Sequence, residues 1–213
     1  MTYADIEQGT AEWKAIRCGR VTASRIADLM ARTKSGWGAS RANYMAELVA
    51  ERLTGKPAEG FTSSAMQWGT EKEPEARELY SFLSNQEIQQ VGFVPHPFIE
   101  MAGASPDGLI GAAGMVEIKC PNTATHIETL RGQSIPAKYI GQMQFQMACA
   151  GREWVDFLSY DPRMPMEMQS FVKRVARDEK HIREIESAVR EFLAEVDETI
   201  ADLTRLYRTQ EAA

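Results

Sequence analysis

Cysteine is scarce in this chain. Cys18, Cys120 and Cys149 form an odd, widely spaced set among 213 residues, which argues against a secreted scaffold stapled by disulfides and fits a reducing, cytoplasmic compartment. Long apolar runs are missing too. None approaches the roughly 20 residues of a membrane-spanning helix, so no membrane association is expected. Met1 to Thr10 is polar and lacks the apolar core of a signal peptide. Nine prolines and fifteen glycines are scattered, which excludes collagen-like and low-complexity chains. There is no internal repeat, and no stretch rich in Pro, Gly or Ser long enough to be a linker. One domain spanning 1–213 is expected, of a size that buries roughly 70% of its unfolded surface without a metal clip or disulfide.

Positive charge is also in deficit, with 24 Lys and Arg against 30 Asp and Glu and a net charge of −6. That balance counts mildly against a nucleic-acid partner, but it averages over a gradient. Between Trp13 and Met45 stand Lys14, Arg17, Arg20, Arg25, Arg32, Lys34 and Arg41, with Asp28 the only acid. From Phe61 to Ser170 acids outnumber bases thirteen to seven. A basic patch on an acidic body can bind a polyanion while an acidic cluster elsewhere holds cations. Two solvated faces of opposite sign are the alternative.

Periodicity divides the chain. The first sixty residues read as short helices. Thr22 can cap one through Ile26, Leu29 and Met30, which Ser35-Gly36-Trp37-Gly38 breaks. Another starts at Ser40, runs through Tyr44, Leu48 and Leu53, and stops at Gly55 and Pro57. A third is expected over 73–83, with Pro74 tolerable only in its first turn. Short, partly β-branched runs bounded by Gly, Pro or Asn then mark strands at 88–94, 104–110 and 115–120. Helix returns over 139–150, followed by strands over 154–160 and 168–175. Finally Ile182, Ile185, Val189, Phe192, Val196, Ile200, Leu203 and Tyr207 recur at steps of three and four, one apolar face of a long C-terminal helix. A sheet between helices makes an α/β or α+β domain.

One constellation carries chemistry. Ser105-Pro106-Asp107-Gly108 precedes Glu117-Ile118-Lys119, with nine residues between Asp107 and Glu117. In a strand over 115–120, Glu117 and Lys119 share one face while Val116 and Ile118 point into a core. Charged residues on an apolar strand are costly to bury without work there. Asp107 stands at a Pro/Gly turn closing the preceding strand, so a hairpin can bring its carboxylate beside Glu117. Paired carboxylates favour a hard cation such as Mg²⁺ or Mn²⁺, and the lysine can orient or deprotonate water for attack on phosphorus. An exposed edge strand with a surface ion pair is the competing reading. His96, His126 and His181 show no ligand spacing, and no His–Cys arrangement supports thiol catalysis at Cys120. The three cysteines are read as structural.

Pro106-Asp107, nine residues, then Glu117-Ile118-Lys119 resembles the signature of PD-(D/E)xK nucleases. Further stretches at 17–24 (RCGRVTAS), 68–82 (WGTEKEPEARELYSF), 105–108, 117–121 (EIKCP), 139–146, 160–164 (YDPRM) and 177–180 (RDEK) resemble one branch of that superfamily in its own order. That branch is the phage lambda exonuclease family of alkaline exonucleases and YqaJ-type viral recombinases. The resemblance runs from about residue 13 to about residue 200. It implies a restriction-endonuclease-like core, with a central mixed β-sheet flanked by helices, a helical N-terminal part and a long C-terminal helix. It also implies a Mg²⁺-dependent 5′→3′ exonuclease that digests one strand of linear double-stranded DNA to 5′-mononucleotides, leaving a 3′ single strand for recombination by annealing. Two Mg²⁺ per site, replaceable by Mn²⁺, are implied. So are a homotrimeric ring around DNA, a single-strand annealing partner, and a phage or prophage origin in a bacterial cytoplasm.

The resemblance extends residue by residue. Asp107 and Glu117 match the family's metal-binding carboxylates, joined by the backbone carbonyl of Ile118, and Lys119 matches its catalytic lysine. Glu73, four after Gly69, matches the helical acid that completes the site; an N-terminal helix acid favoured by the dipole is the alternative. Gln142 matches a supporting glutamine of the active site. Arg17, Ser24 and Ser105 match a 5′-phosphate pocket, where a guanidinium forks onto phosphate oxygens and hydroxyls donate to the remainder. Met66 falls where the family has an apolar wedge that parts the terminal base pair, against the ordinary reading of a core methionine. Lys34 falls on a basic contact to the duplex, against a solvated lysine. Trp37 stays open between base stacking and core packing. Two other functions stand beside the exonuclease: a structure-specific or restriction-like endonuclease of the same fold, and an inactive DNA-binding or assembly module. The intact Asp107, Glu117 and Lys119 count against the module.

Overall fold

Thr10 caps the first helix, α1 (Ala11–Arg17), by accepting from the Trp13 amide at 3.2 Å. The computed structural model describes residues 5–34, 36–58, 60 and 63–207, so Ser35 of the expected helix breaker lies outside the described residues. A two-residue strand β1 (Val21–Thr22) leads through a 3-10 turn into the one-turn helix α2 (Ile26–Leu29). The helix expected after Thr22 is thus shorter than its pattern. Thr22 makes no side-chain capping bond, because its backbone pairs in a parallel ladder instead. A hairpin of β2 (Arg32–Thr33) and β3 (Gly36–Trp37) follows. Then comes α3 (Ala39–Thr54), which ends as expected on Gly55 in the left-handed region at φ 68°.

The next helix, α4 (Ser64–Ser84), begins nine residues before the expected start, capped by Ser63 through the Met66 amide. Pro74 therefore stands in mid-helix, not in the first turn. It lacks the N–H that the Thr70 carbonyl would accept, at a cost of about 3 kcal/mol. Burial of Ala76 and Tyr80, with Trp68 and Leu79 packed beside them against the sheet, offsets that loss.

Five short strands come next: β4 (Ile88–Gln89), β5 (Val94–Pro95), β6 (Ala102–Ala104), β7 (Gly108–Ile110) and β8 (Gly114–Lys119). The chain continues through α5 (Thr123–Gly132), which no sequence pattern announced, and α6 (Lys138–Ala150). Strands β9 (Trp154–Tyr160) and β10 (Ser170–Ala176) precede the long α7 (Glu179–Tyr207). A mixed five-stranded sheet runs β10-β9-β8-β7-β4, in which β8 and β9 are parallel and the other pairs antiparallel. A three-stranded sheet runs β1-β6-β5.

The strands expected at 88–94 and 104–110 each divide between these two sheets. Pro106 has no N–H to give a ladder, so the chain leaves the small sheet before it and joins the large one after it. Asp107 stands at that crossing. Strand β8 is covered on both faces. Val116 and Ile118 pack with Ala76 and Tyr80 of α4, while Met115 packs with Met143 and Met147 of α6. The inward face of Val116 and Ile118 was expected; the burial of Glu117 on the opposite face under α6 was not.

The apolar stripe of α7 closes the second core as anticipated. Ile182, Ile185, Val189, Phe192 and Val196 are buried, and only Tyr207 at the far end of the stripe stands exposed. Phe192 stacks on Tyr44 of α3 at 5.4 Å between centroids, and Glu195 takes both arms of the Arg41 guanidinium at 2.7 and 2.8 Å. Among the described residues no helix is long and apolar enough to cross a membrane.

Candidate active site

The β7–β8 hairpin pairs Gly108 with Val116, which brings Asp107 alongside Glu117. Asp107 Oδ2 accepts from the Ile118 amide at 2.7 Å. Glu117 has no exposed surface. Its Oε1 accepts from Gln142 Nε2 at 2.5 Å and pairs with the Lys119 ammonium, while its Oε2 accepts from Gln146 Nε2 at 2.6 Å. A buried carboxylate is tolerated here because one cation and two amide donors compensate for lost water. Lys119 lies 5.3 Å from the Tyr139 ring centre. Burial opposes its charge, but Glu117 and Asp107 outweigh burial and hold the ammonium above the ordinary lysine range.

Glu73 pairs with Arg77 one turn along α4, and Arg77 Nε donates to the Asp107 carbonyl at 3.3 Å. Among the described residues no three carboxylate, imidazole or thiol groups converge into a metal cage. The expected acids are gathered, but Glu73 is turned to Arg77 and Glu117 to Lys119 and its amides. The donor chemistry nevertheless fits a hard cation. Restricted solvation, then the Glu117 charge, with Glu73 adding to it, push the Asp107 carboxyl well above the aspartate range, against the pull of Lys119 and the Ile118 amide. Burial likewise raises Glu73, against Arg77 and Lys119. Three carboxyl groups share this site with two cations, Lys119 and Arg77, a balance that a divalent cation would complete.

The same shifts set a pH dependence. A carboxyl titrating higher in the folded than the unfolded chain keeps a proton the unfolded chain has already lost. The stability contributed by Asp107 and Glu73 is therefore full below the ordinary carboxylate range and declines as pH rises towards their raised values. In metal-free buffer Tm should fall across that window, and Asp107→Asn should flatten the fall. Identical slopes for the two proteins would contradict the assignment.

Arg17 and Ser24 line a cavity of about 730 Å³ together with Lys14, Arg20, Arg25 and Tyr44. The Arg17 guanidinium lies 3.8 Å from the Trp13 ring centre. Among the described residues its side chain makes no hydrogen bond or ion pair, and burial lowers it to about 10 against the pull of Tyr44 and Glu51. A desolvated guanidinium with its donors unspent is a receptor for an anion. Ser105 does not line this cavity. Its Oγ accepts from Trp13 Nε1 at 2.9 Å, so the indole joins it to Arg17.

A second cavity of about 750 Å³ is lined by Glu73, Arg77 and Asp107, and it shares Trp13, Lys14 and Met66 with the first. Met66 is 57% exposed, which removes the core reading and stands it between the two cavities. Lys34 lies exposed in the β2–β3 turn and lines neither cavity. Trp37 has the guanidiniums of Arg32 and Arg41 over its ring at 3.9 and 4.1 Å. Sequence reading passed over Gln146, Trp13 and Arg77. Two of them carried a signal: Gln146 follows Gln142, and Arg17 follows Trp13, by one helical turn.

A family model described as YqaJ-like viral recombinase domain matches residues 12–153. The chain is 51% identical to an alkaline exonuclease (LHK-Exo) from Laribacter hongkongensis, whose crystal structure it matches with a TM-score of 0.88 over 96% of this chain and 100% of that one. A structure of LHK-Exo in complex with dAMP matches equally well. A phage-related exonuclease from Haemophilus somnus 129PT, 16% identical with a TM-score of 0.71 over 86% and 96% of the two chains, shares the fold. ExoD of Escherichia coli (strain K12) is 30% identical over 78 residues, 37% of this chain and 88% of ExoD.

Proposed function

The chain belongs to the family of YqaJ-like viral recombinase domains, and on that premise we propose that it is a single-domain, Mg²⁺-dependent 5′→3′ exonuclease on linear double-stranded DNA. It releases 5′-mononucleotides and leaves a 3′ single strand. One observation carries the reading: Arg17, without a hydrogen bond or ion pair among the described residues and set over the Trp13 ring, lines a cavity that shares Trp13, Lys14 and Met66 with the cavity of Asp107 and Glu73. A strand end has one feature absent from its interior, a terminal phosphate, and on this reading Arg17 takes it while the next phosphodiester meets the carboxylates. The dAMP bound by LHK-Exo accords with a mononucleotide product.

Asp107, Glu117 and the Ile118 carbonyl, with Glu73, would hold Mg²⁺, two per site and replaceable by Mn²⁺, supplying Lewis-acid activation of water and neutralisation of phosphate charge. The chain's own groups do the rest. Lys119 orients the attacking water, or deprotonates it once a cation on the carboxylates has lowered its own hold on a proton, and Gln142 supports Glu117. Arg17, with Ser24 and Ser105, fixes the 5′-phosphate; Met66 parts the terminal base pair, and Lys34 touches the duplex backbone. A homotrimeric ring around the duplex, a single-strand annealing protein that receives the product, and a phage or prophage origin in a bacterial cytoplasm belong to the same proposal. A closed cyclic ring accounts for basic segments inside an acidic exterior.

The test is end chemistry. A charge-assisted hydrogen bond of this kind contributes roughly 1.5–3 kcal/mol, about tenfold to a hundredfold in rate. Arg17→Ala should slow digestion of 5′-phosphorylated duplex by that factor and digestion of 5′-hydroxyl duplex far less. Label should leave the 5′ end first, EDTA should abolish release, and closed circular duplex should resist. Equal losses on both ends would refute the phosphate pocket, and cutting of closed circles would make the enzyme an endonuclease.

A further inference from the structure

The two oxygens of Glu117 are not equivalent, and the difference points to a residue that the family resemblance leaves without a role. Oε1 meets the more accessible partners: Lys119 keeps 26% of its side-chain exposure, and Gln142, 9% exposed, donates to the same oxygen. Oε2 meets a deeper one: among the described residues its partner is Gln146, 1% exposed, at 2.6 Å. Gln142 and Gln146 lie one turn apart on α6, and that turn is buried throughout. A carboxylate can rotate about its terminal torsion unless both oxygens are held. Gln142 and Lys119 on one oxygen leave that rotation open, and Gln146 on the other closes it.

We propose that Gln146 is a positioning residue that locks the Glu117 carboxylate with Oε1 turned to the cation seat, and that the Lys119 ammonium occupies that seat at rest as a counter-ion which an arriving divalent cation displaces. The inference deepens the proposed metal site and rests on it. The chemistry of the partners supports the exchange. An ammonium on a four-carbon stem is a mobile point charge, whereas an amide that is packed inside a helix–sheet contact is fixed. Moving Lys119 off Oε1 leaves it beside the Tyr139 ring, where it already stands. Gln146 lines neither the Arg17 cavity nor the Asp107 cavity and is 1% exposed, so it acts through Glu117.

The experiment is calorimetric titration of the full chain with Mn²⁺ alone, with thermal unfolding of each variant in metal-free buffer as the fold control. Gln146→Met keeps the volume and loses the donor; Gln146→Asn keeps the amide and withdraws it by one methylene. Each is expected to weaken Mn²⁺ binding roughly tenfold, the low end for a hydrogen bond to a charged group. In the nuclease assay the half-saturating Mg²⁺ concentration should rise by the same factor, while turnover at saturating Mg²⁺ falls less than about threefold; a merely structural role would lower turnover at every concentration. Lys119→Met should bind Mn²⁺ more tightly than the native chain, because the resting competitor is gone. Affinity within about twofold of native in both Gln146 variants would overturn the lock, and weaker binding in Lys119→Met would overturn the exchange. A native chain that takes up no Mn²⁺ would overturn the metal site itself, and this inference with it.

Discussion

Alanine at Asp107, Glu117 or Lys119 is expected to lower cleavage of linear duplex by at least about a thousandfold, since groups acting at one centre fail as a unit. The three losses differ in what they do to the fold. Asp107→Ala strands only the Ile118 amide. Glu117→Ala orphans the Gln142 and Gln146 amides as well as the Lys119 ammonium, and each buried donor left unpaired costs about 1–3 kcal/mol. Lys119→Ala leaves the wholly buried Glu117 carboxylate without its cation, an imbalance worth up to about 3–5 kcal/mol. Paired measurements of rate and Tm separate chemistry from unfolding: Asp107→Ala should be inactive near native Tm, while Lys119→Ala should be inactive and unstable, with Mn²⁺ restoring part of its Tm. Turnover close to native in a folded Lys119→Ala would end the role given to that lysine.

Phe192→Ala should be the most damaging single truncation away from the site. Phe192 is fully buried, stacks on Tyr44 and carries the Arg41 guanidinium 4.9 Å above its ring. Removing a buried phenyl group costs about 3–5 kcal/mol, a large part of a typical domain's stability. Urea titration should show a lower midpoint at unchanged slope. Tyr44 also lines the Arg17 cavity, so the surviving folded fraction should discriminate poorly between 5′-phosphate and 5′-hydroxyl ends. A loss under about 1 kcal/mol would mean that α7 is not a keystone of this core.

Where one periodicity ran long, the sequence was readable. The steps of three and four in α7 state one helix with one buried face, and the runs of α6, β8 and β9 each state one element buried all round. Legibility failed where tertiary placement decides. Nothing local distinguishes a strand over 104–110 from two short strands in different sheets, because the division depends on which neighbour each half meets. Pro74 marked a helix start by its missing N–H, and the helix passed through it because Ala76 and Tyr80 gain more by packing than one bond is worth. In the site, Asp107, Glu117 and Lys119 were legible as a charged set at hairpin spacing, and the structure brings them together. Gln146 was not, since a glutamine in an apolar helix announces neither its burial nor its partner.

The pairing of Arg41 with Glu195 joins positions 154 residues apart, and the core around it mixes side chains of α2 and α3 with those of α7. Contacts this distant form slowly, because chain must be gathered before they reward it. On the ribosome the segment with Tyr44, Leu48 and Val49 emerges uncovered and waits for α7 to be translated. While it waits, that exposed apolar surface makes the nascent chain a client for chaperones.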